Sequence, residues 1–321
     1  MLDILLNETV MIEWLKNKAR LVFSSSSVQL KEDLHSIMKS VASDLKCEVR
    51  RNQLIDHLLH DSTKGITTFR YTDHDIIVSL TSYGRRVHEV FLSIESIMQQ
   101  TMKPNRIVLW LDESYKDKPL PQSLLIQKSR GLEIAFCPDI KSYTKLIPQM
   151  RQTPDDAIIT IDDDILYDHD VLEHLIQAYI GEPGTIHCCR VHKIGIGTGG
   201  DVLPYKEWEA RCTKTGKDGF YFITGVGGAL YPPGSLDEEV FNEDVFMSIC
   251  PDADDIWFTA MALKKGTPIN KVFTRDERGE DYISNPVSGG HLSYKNVYLG
   301  GNDCQLQAVF SKYSLFSKLQ E

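Results

Sequence analysis

The chain lacks any run of about eighteen uninterrupted apolar residues, the minimum for a membrane-spanning helix. It also has little positive charge to spare, with 35 Lys and Arg against 45 Asp and Glu. A nucleic-acid backbone needs a surplus of Lys and Arg on one face, so the balance argues against that partner. An anion bridged by a metal is still allowed, because the metal brings the charge. The seven cysteines form an odd set with no C-x-x-C pair. Cys188 and Cys189 are adjacent and poorly placed to bridge each other, which favours a reducing compartment. Residues 1–23 start with acidic Asp3 and lack the basic region, long apolar core and cleavage site of a secretory signal. The expected location is cytoplasmic, at the inner face of the membrane if the first helix docks there. A dinucleotide fingerprint is missing too: Gly195, Gly197, Gly199 and Gly200 neither follow a strand nor open a helix, and read as a mobile loop.

At 321 residues, the chain can bury a full core and suits one large α/β domain with an appendage. Two helical stretches fill residues 1 to about 60, separated by Ser24-Ser25-Ser26-Ser27. The first carries Ile4, Leu5, Met11, Ile12, Leu15 and Trp14, and turns basic at Lys16, Lys18 and Arg20. It suits packing on its own domain or a second subunit, and also docking at a membrane surface. From Asp75 the pattern becomes apolar runs alternating with helical segments, the signature of a parallel sheet flanked by helices. The strands read as residues 76–80, 106–111, 133–137 and 157–161, four β-α units in succession.

The strongest local signal is Ile158-Ile159-Thr160-Ile161-Asp162-Asp163-Asp164, a buried strand ending in three carboxylates. Three anions there repel one another, and a divalent cation with an anionic ligand is the usual remedy. Strand alternation points Asp162 and Asp164 to one side, for metal and for ribose or metal-bound water, with Asp163 facing elsewhere. The triplet also suits an acidic turn before the helix that follows Asp170. Pro251-Asp252-Ala253-Asp254-Asp255 opens an amphipathic helix through Ile256, Ala260 and Leu263, closed by Lys264-Lys265-Gly266. In its first turn Asp255 suits a general base, while capping by Asp252 with dipole-favoured charge at Asp254 and Asp255 explains the same pattern. Gly225-Val226-Gly227-Gly228-Ala229 allows backbone to approach a ligand, or marks a tight strand crossing. Trp257, Tyr231 and Trp208 suit either sugar stacking or the core.

Taken in order, these motifs resemble the A-type (GT-A) glycosyltransferases, particularly the family 2-like enzymes of surface-polysaccharide assembly, over roughly residues 75 to 295. Asp162-Asp163-Asp164 stands where that fold has its D-x-D metal motif. Gly225 to Ala229 resembles the glycine-rich acceptor loop, and Asp254-Asp255-Ile256-Trp257 the segment with the catalytic base, although Asp254 stands where Glu is more usual. His291, after Gly289-Gly290, matches the C-terminal histidine that can complete the metal shell. The resemblance implies Mn²⁺ or Mg²⁺ on Asp162, Asp164 and His291, and catalysis by Asp255 with Asp254. It further implies a nucleotide-sugar donor, first a UDP-sugar. Thr81, Ser82, Tyr83 and Asp112 then lie near the nucleoside, with Asp112 accepting from a uracil imide. Arg85, Arg86 and Lys145 are candidates for the diphosphate, and Asp162, Asp163, Gly227 and Gly228 for other donor contacts.

The expected fold is therefore α/β, a GT-A nucleotide-sugar-binding, Rossmann-like, mostly parallel sheet flanked by helices. A helical extension is expected over residues 1–70, the transferase domain over 71–300 and a tail over 301–321. The expected reaction is metal-dependent, inverting transfer to a hydroxyl of a glycan or glycolipid, with peripheral membrane association and a homo-oligomer both compatible. One alternative is a sugar-phosphate nucleotidyltransferase, although Thr81 to Arg86 is a poor match to the glycine-rich, basic loop such enzymes carry after the first strand. The other is a non-catalytic carbohydrate-binding protein, which the presence of both acidic sites disfavours.

Overall fold

The computed structural model describes residues 28–217, 219–285, 296 and 300–319, so the expected first helix and His291 lie outside the described residues. The chain divides into two compact units, Met1–Gln53 and Leu54–Glu321. Helix α1 (Val28–His60) contributes Met38, Leu45 and Val49 as exposed apolar side chains in the first unit. Among the described residues, no helix is long and apolar enough to cross a membrane.

The second unit begins with the expected repeat. Strands β1 (Ile76–Thr81), β2 (Arg106–Asp112), β3 (Leu132–Cys137) and β4 (Ala157–Thr160) alternate with helices α2 (Phe91–Met98), α3 (Gln122–Ser129) and α4 (Ile147–Gln152). The strands pair in parallel, with Val78 of β1 opposite both Ile107 and Ile159. Their side chains alternate between two apolar layers: Ile158 joins the core with Trp257, Phe258 and Phe310, and Ile159 the core with Val78, Leu109 and Leu175. Burial on both faces is why these strands read as unbroken Ile and Val rather than as alternating polar and apolar. Edge strand β3 instead exposes Glu133, which forms a two-pronged pair with Arg106 (both contacts 2.7 Å). Charge at an exposed edge disfavours pairing with another chain.

After β4 come β5 (Ile165–Tyr167), α5 (Val171–Gly181), β6 (Ile186–Cys188), β7 (Val191–Lys193), β8 (Tyr221–Ile223) and β9 (Ala229–Tyr231). These are followed by α6 (Glu243–Ile249), α7 (Asp254–Lys265), β10 (Ile269–Lys271), β11 (Tyr282–Ser284) and α8 (Gly301–Lys312). The main sheet has the order β10-β6-β9-β4-β1-β2-β3, and β9 runs antiparallel to both neighbours. Two smaller sheets pair β5 with β11 and β7 with β8. This is the expected mostly parallel sheet flanked by helices.

Three expectations change. The glycines at 195–200 close a turn, in which Gly197 N–H donates to the Asp201 carbonyl (2.7 Å) and Ile196 bridges to Val202. Short backbone bonds shape this segment into a turn. Residues 301–312, read as part of a tail, form α8, whose Leu306, Val309 and Phe310 enter the core. Trp257, Tyr231 and Trp208 are all buried in that core, where they present no platform to a sugar.

A buried ion cluster joins the helices over one face of the sheet. Glu95 of α2 is 0% exposed and accepts from Arg130 (2.7 Å) and Gln127 (2.8 Å), while His57 contacts it at 2.6 Å. Removing one partner leaves the others buried and uncompensated, which costs about 3–5 kcal/mol. Glu95→Ala should therefore lower the unfolding free energy by about 3 kcal/mol or more, measured by urea titration.

Candidate functional site at the carboxyl ends of the parallel strands

Strand β4 stops at Thr160, and Ile161 to Asp164 leave the sheet for a turn. Strand alternation therefore does not govern the triplet, and the pairing differs from expectation. Asp163 turns inward, 5% exposed, and accepts from Ser82 Oγ (2.6 Å) and from Arg86 (2.7 Å). Asp164 takes the other end of the same guanidinium at 2.9 Å. Asp162 pairs with Lys145 at 3.0 Å. Burial pushes Asp163 up to about 6, against the opposing pull of Ser82 and Arg86. The mutual repulsion is thus met by two fixed cations from the chain itself.

Lys145 stands just before α4, where its carbonyl accepts from Ser79 Oγ of β1 (2.6 Å). Its ammonium lies between Asp162 (3.0 Å) and Asp254 (3.1 Å). Burial alone would lower its pKa, but Asp162, Asp254 and Asp255 together raise it well above the usual range. Lys145 therefore stays charged, and joins the end of β4 to the first turn of α7.

Helix α7 begins after Ala253, which makes no side-chain cap, and closes with left-handed Gly266 (φ 82°). Asp252 does not act as its cap and pairs instead with Lys141 at 2.8 Å. Asp255 accepts from the Gly225 N–H at 3.1 Å. A Cβ at Gly225 would fall 3.0 Å from Lys145 Nζ and 3.1 Å from Asp255 Oδ1, so the absent side chain is what lets the loop reach both. Burial pushes Asp255 up to about 7, with Asp254 and Asp162 adding to the rise and Lys145 and Gly225 opposing it. Tyr167 completes the frame: its hydroxyl accepts from Asp162 N–H (2.9 Å) and donates to the Val226 carbonyl (3.1 Å).

The structure thus brings together Asp162, Asp254, Asp255, Lys145 and the Gly225 loop beside the ends of β1 and β4, where ligands bind in open α/β sheets. The expected nucleoside residues are more dispersed. Thr81 Oγ donates to the Trp110 carbonyl (3.0 Å), Tyr83 and Arg85 are exposed, and Arg86 lies over the Tyr83 ring at 5.7 Å. Asp112 accepts from Ser114 N–H (2.9 Å), and its hydrogen bonds from Ser114 hold its carboxyl below the usual range. Gly227 and Gly228 are buried, and Gly228 takes a left-handed φ of 94° where the chain enters β9.

A metal centre requires ligand oxygens that converge on one point. Asp162 and Asp164 are directed to different cations, Lys145 and Arg86, and do not form a common ligand shell with Asp163. Among the described residues, the three potential ligands that do converge, within 4.8 Å, are Asp170, His174 and Asp281. There Arg275 already pairs with Asp170 at 3.0 Å. The triplet as arranged does not fit a metal centre. Tyr167 was not among the expected site residues; its hydroxyl joins the triplet to the glycine loop.

No protein-family model matches this chain, and no curated protein matches it. Among solved structures it is similar to a CMP:2-keto-3-deoxy-manno-octonic acid synthetase complexed with CTP. That likeness has 12% identity and a TM-score of 0.36, covering 61% of this chain and 88% of that one. At this level it bears on neither reaction nor substrate.

Replacing Lys145 by Met should expose how far the acids depend on it. With the ammonium gone, three neighbouring carboxylates lose their counter-charge, a change that costs about 3–5 kcal/mol for a buried pair. The deficit should be largest at pH 8 and shrink on acidification, as protonation removes the repulsion; denaturant titrations across pH measure this.

Proposed function

We propose that this protein is a glycosyltransferase that moves a sugar from a nucleotide-sugar donor, a UDP-sugar first, to a hydroxyl of a glycan or glycolipid. The observation that carries the reading is Asp255: a half-buried carboxylate, pushed up to about 7 and anchored by a single backbone N–H, beside a glycine loop. A general base works best when its pKa lies near the working pH. Asp255 takes the proton of the acceptor hydroxyl as that oxygen bonds to the anomeric carbon. The bond from that carbon to the diphosphate breaks on the opposite face, inverting the configuration and releasing the nucleoside diphosphate.

Asp254 and Lys145 set the charge around the base, and Tyr167 fixes the loop against the triplet. Thr81, Tyr83 and Asp112, at the ends of β1 and β2, are the residues proposed to line the nucleoside. A Mn²⁺ or Mg²⁺ ion would reach Asp162 and Asp164 only by displacing Lys145 and Arg86. The nucleotidyltransferase alternative makes a different product, pyrophosphate, and the two reactions separate on that basis.

The test is product analysis on a panel of nucleotide sugars with glycan and glycolipid acceptors. Release of nucleoside diphosphate with a new glycoside is expected; none there, with pyrophosphate released from a nucleoside triphosphate and a sugar phosphate in a parallel assay, would replace this reading with nucleotidyl transfer. Asp255→Asn should lower kcat by about two orders of magnitude or more while donor binding persists. In the wild type, kcat/KM should rise with pH through about 7 and level off above it, because only ionised Asp255 accepts a proton. Stability should move the other way. A carboxyl with a folded pKa raised above its unfolded value favours folding when protonated, and that benefit is lost as pH rises through the folded value. Asp255→Asn should therefore be at least as stable as wild type at pH 8, with its relative advantage gone below about pH 4.

A further inference from the structure

Arg190 lies between β6 and β7, with its side chain only 13% exposed. Among the described residues its Nε has no hydrogen-bond partner, and the Glu280 carboxylate stands 4.0 Å away. Glu280 is closer to Arg211, at 3.0 Å, so two guanidinium groups share one carboxylate. Neighbouring His192 adds no further positive charge: burial, then Arg190 and Arg211, hold its pKa down to about 4, leaving it neutral. Arg86 and Arg130 are different, since both donate to buried carboxylates at 2.7 Å. A guanidinium taken out of water without a full partner is costly, and an anionic ligand is what compensates it.

Its position relates this charge to the candidate site. The Arg190 carbonyl accepts from Thr224 Oγ (2.9 Å), and its Cβ lies 2.8 Å from where a Cβ on Gly227 would stand. Arg190 therefore backs the loop whose Gly225 N–H holds Asp255. The Tyr282 hydroxyl, pushed up by burial, lies within electrostatic reach of Arg190 and Asp162 alike. Lys145 and Arg86 are occupied with the aspartates, whereas among the described residues Arg190 has only a carboxylate 4.0 Å away that it shares with Arg211.

We propose that Arg190, supported by Arg211, is the subsite for a phosphoryl group. In the transferase reading, on which this assignment builds, it is the diphosphate of the donor. The planar guanidinium fork matches phosphoryl oxygens, and a charge-assisted pair in a half-closed site is stronger than one in water. Arg85, Arg86 and Lys145 thus cede the expected diphosphate role to a residue from the far side of the glycine loop.

The experiment titrates inorganic pyrophosphate, UDP and uridine into the full-length chain by calorimetry. Wild type should bind pyrophosphate and UDP; Arg190→Met should weaken both by about tenfold or more, the scale of a lost charge-assisted hydrogen bond. Uridine binding should be unchanged, and Arg190→Lys should recover part of the loss. Without ligand, Arg190→Met should melt no lower than wild type, because it removes an under-paired buried charge. Unchanged pyrophosphate and UDP binding in Arg190→Met, or no pyrophosphate binding by wild type, would overturn the subsite. So would an equal loss of uridine binding, which marks general damage. Pyrophosphate binding through Arg190 without any turnover of nucleotide sugars would keep the subsite and overturn the transferase reading.

Discussion

The ammonium of Lys145 is the constraint on which the site depends. Two carboxylates from distant parts of the chain, Asp162 after β4 and Asp254 in α7, lie within 3.1 Å of it, and Asp255 adds to the same field. Without a cation between them, acids in a partly dehydrated cleft would separate or take up protons. With it, the end of a parallel strand and the start of a helix are held together, and the glycine loop closes over both. The Ser79 bond to the Lys145 carbonyl ties this cation to the central strand, so the charge cluster inherits the rigidity of the sheet.

Burial raises both Asp163 and Asp255, yet their partners give them different uses. Asp163 is held by the Ser82 hydroxyl and the Arg86 guanidinium, an arrangement that fixes the turn after β4. Asp255 is restrained by a backbone N–H, with a pKa close to neutrality. Its charge also bears on Lys145, whose pKa it helps to raise. The cations differ in the same way: Arg86 and Lys145 hold the acids in place, while Arg190 and Arg211 share Glu280.

Much of this organisation was legible in local sequence. The four β-α units showed as apolar runs at the spacing of a parallel sheet, and α7 showed its length through Lys264-Lys265-Gly266. The aspartates at both site segments stood out because a carboxylate at the end of a buried strand, or crowded with another, gives folding little. Strand β9 was harder: three residues, Ala229 to Tyr231, are too few to show a period, and its direction depends on which neighbours it joins. The aromatics Trp208, Tyr231 and Trp257 were ambiguous because a ring that stacks on a sugar and one that fills a core have the same sequence signature.

The sequence by itself therefore determined the class of fold, the parallel strands, and which acidic segments stand at the strand and helix ends. These follow from hydrophobic period and turn chemistry, which act over a few residues. Only the tertiary structure decided what each charge meets: Lys145 with Asp162 and Asp254, Arg86 with Asp163 and Asp164, and Arg190 with a carboxylate shared with Arg211. Coulombic pairing and burial depend on distance in space, and a chain carries no local mark of which distant segment will arrive beside it.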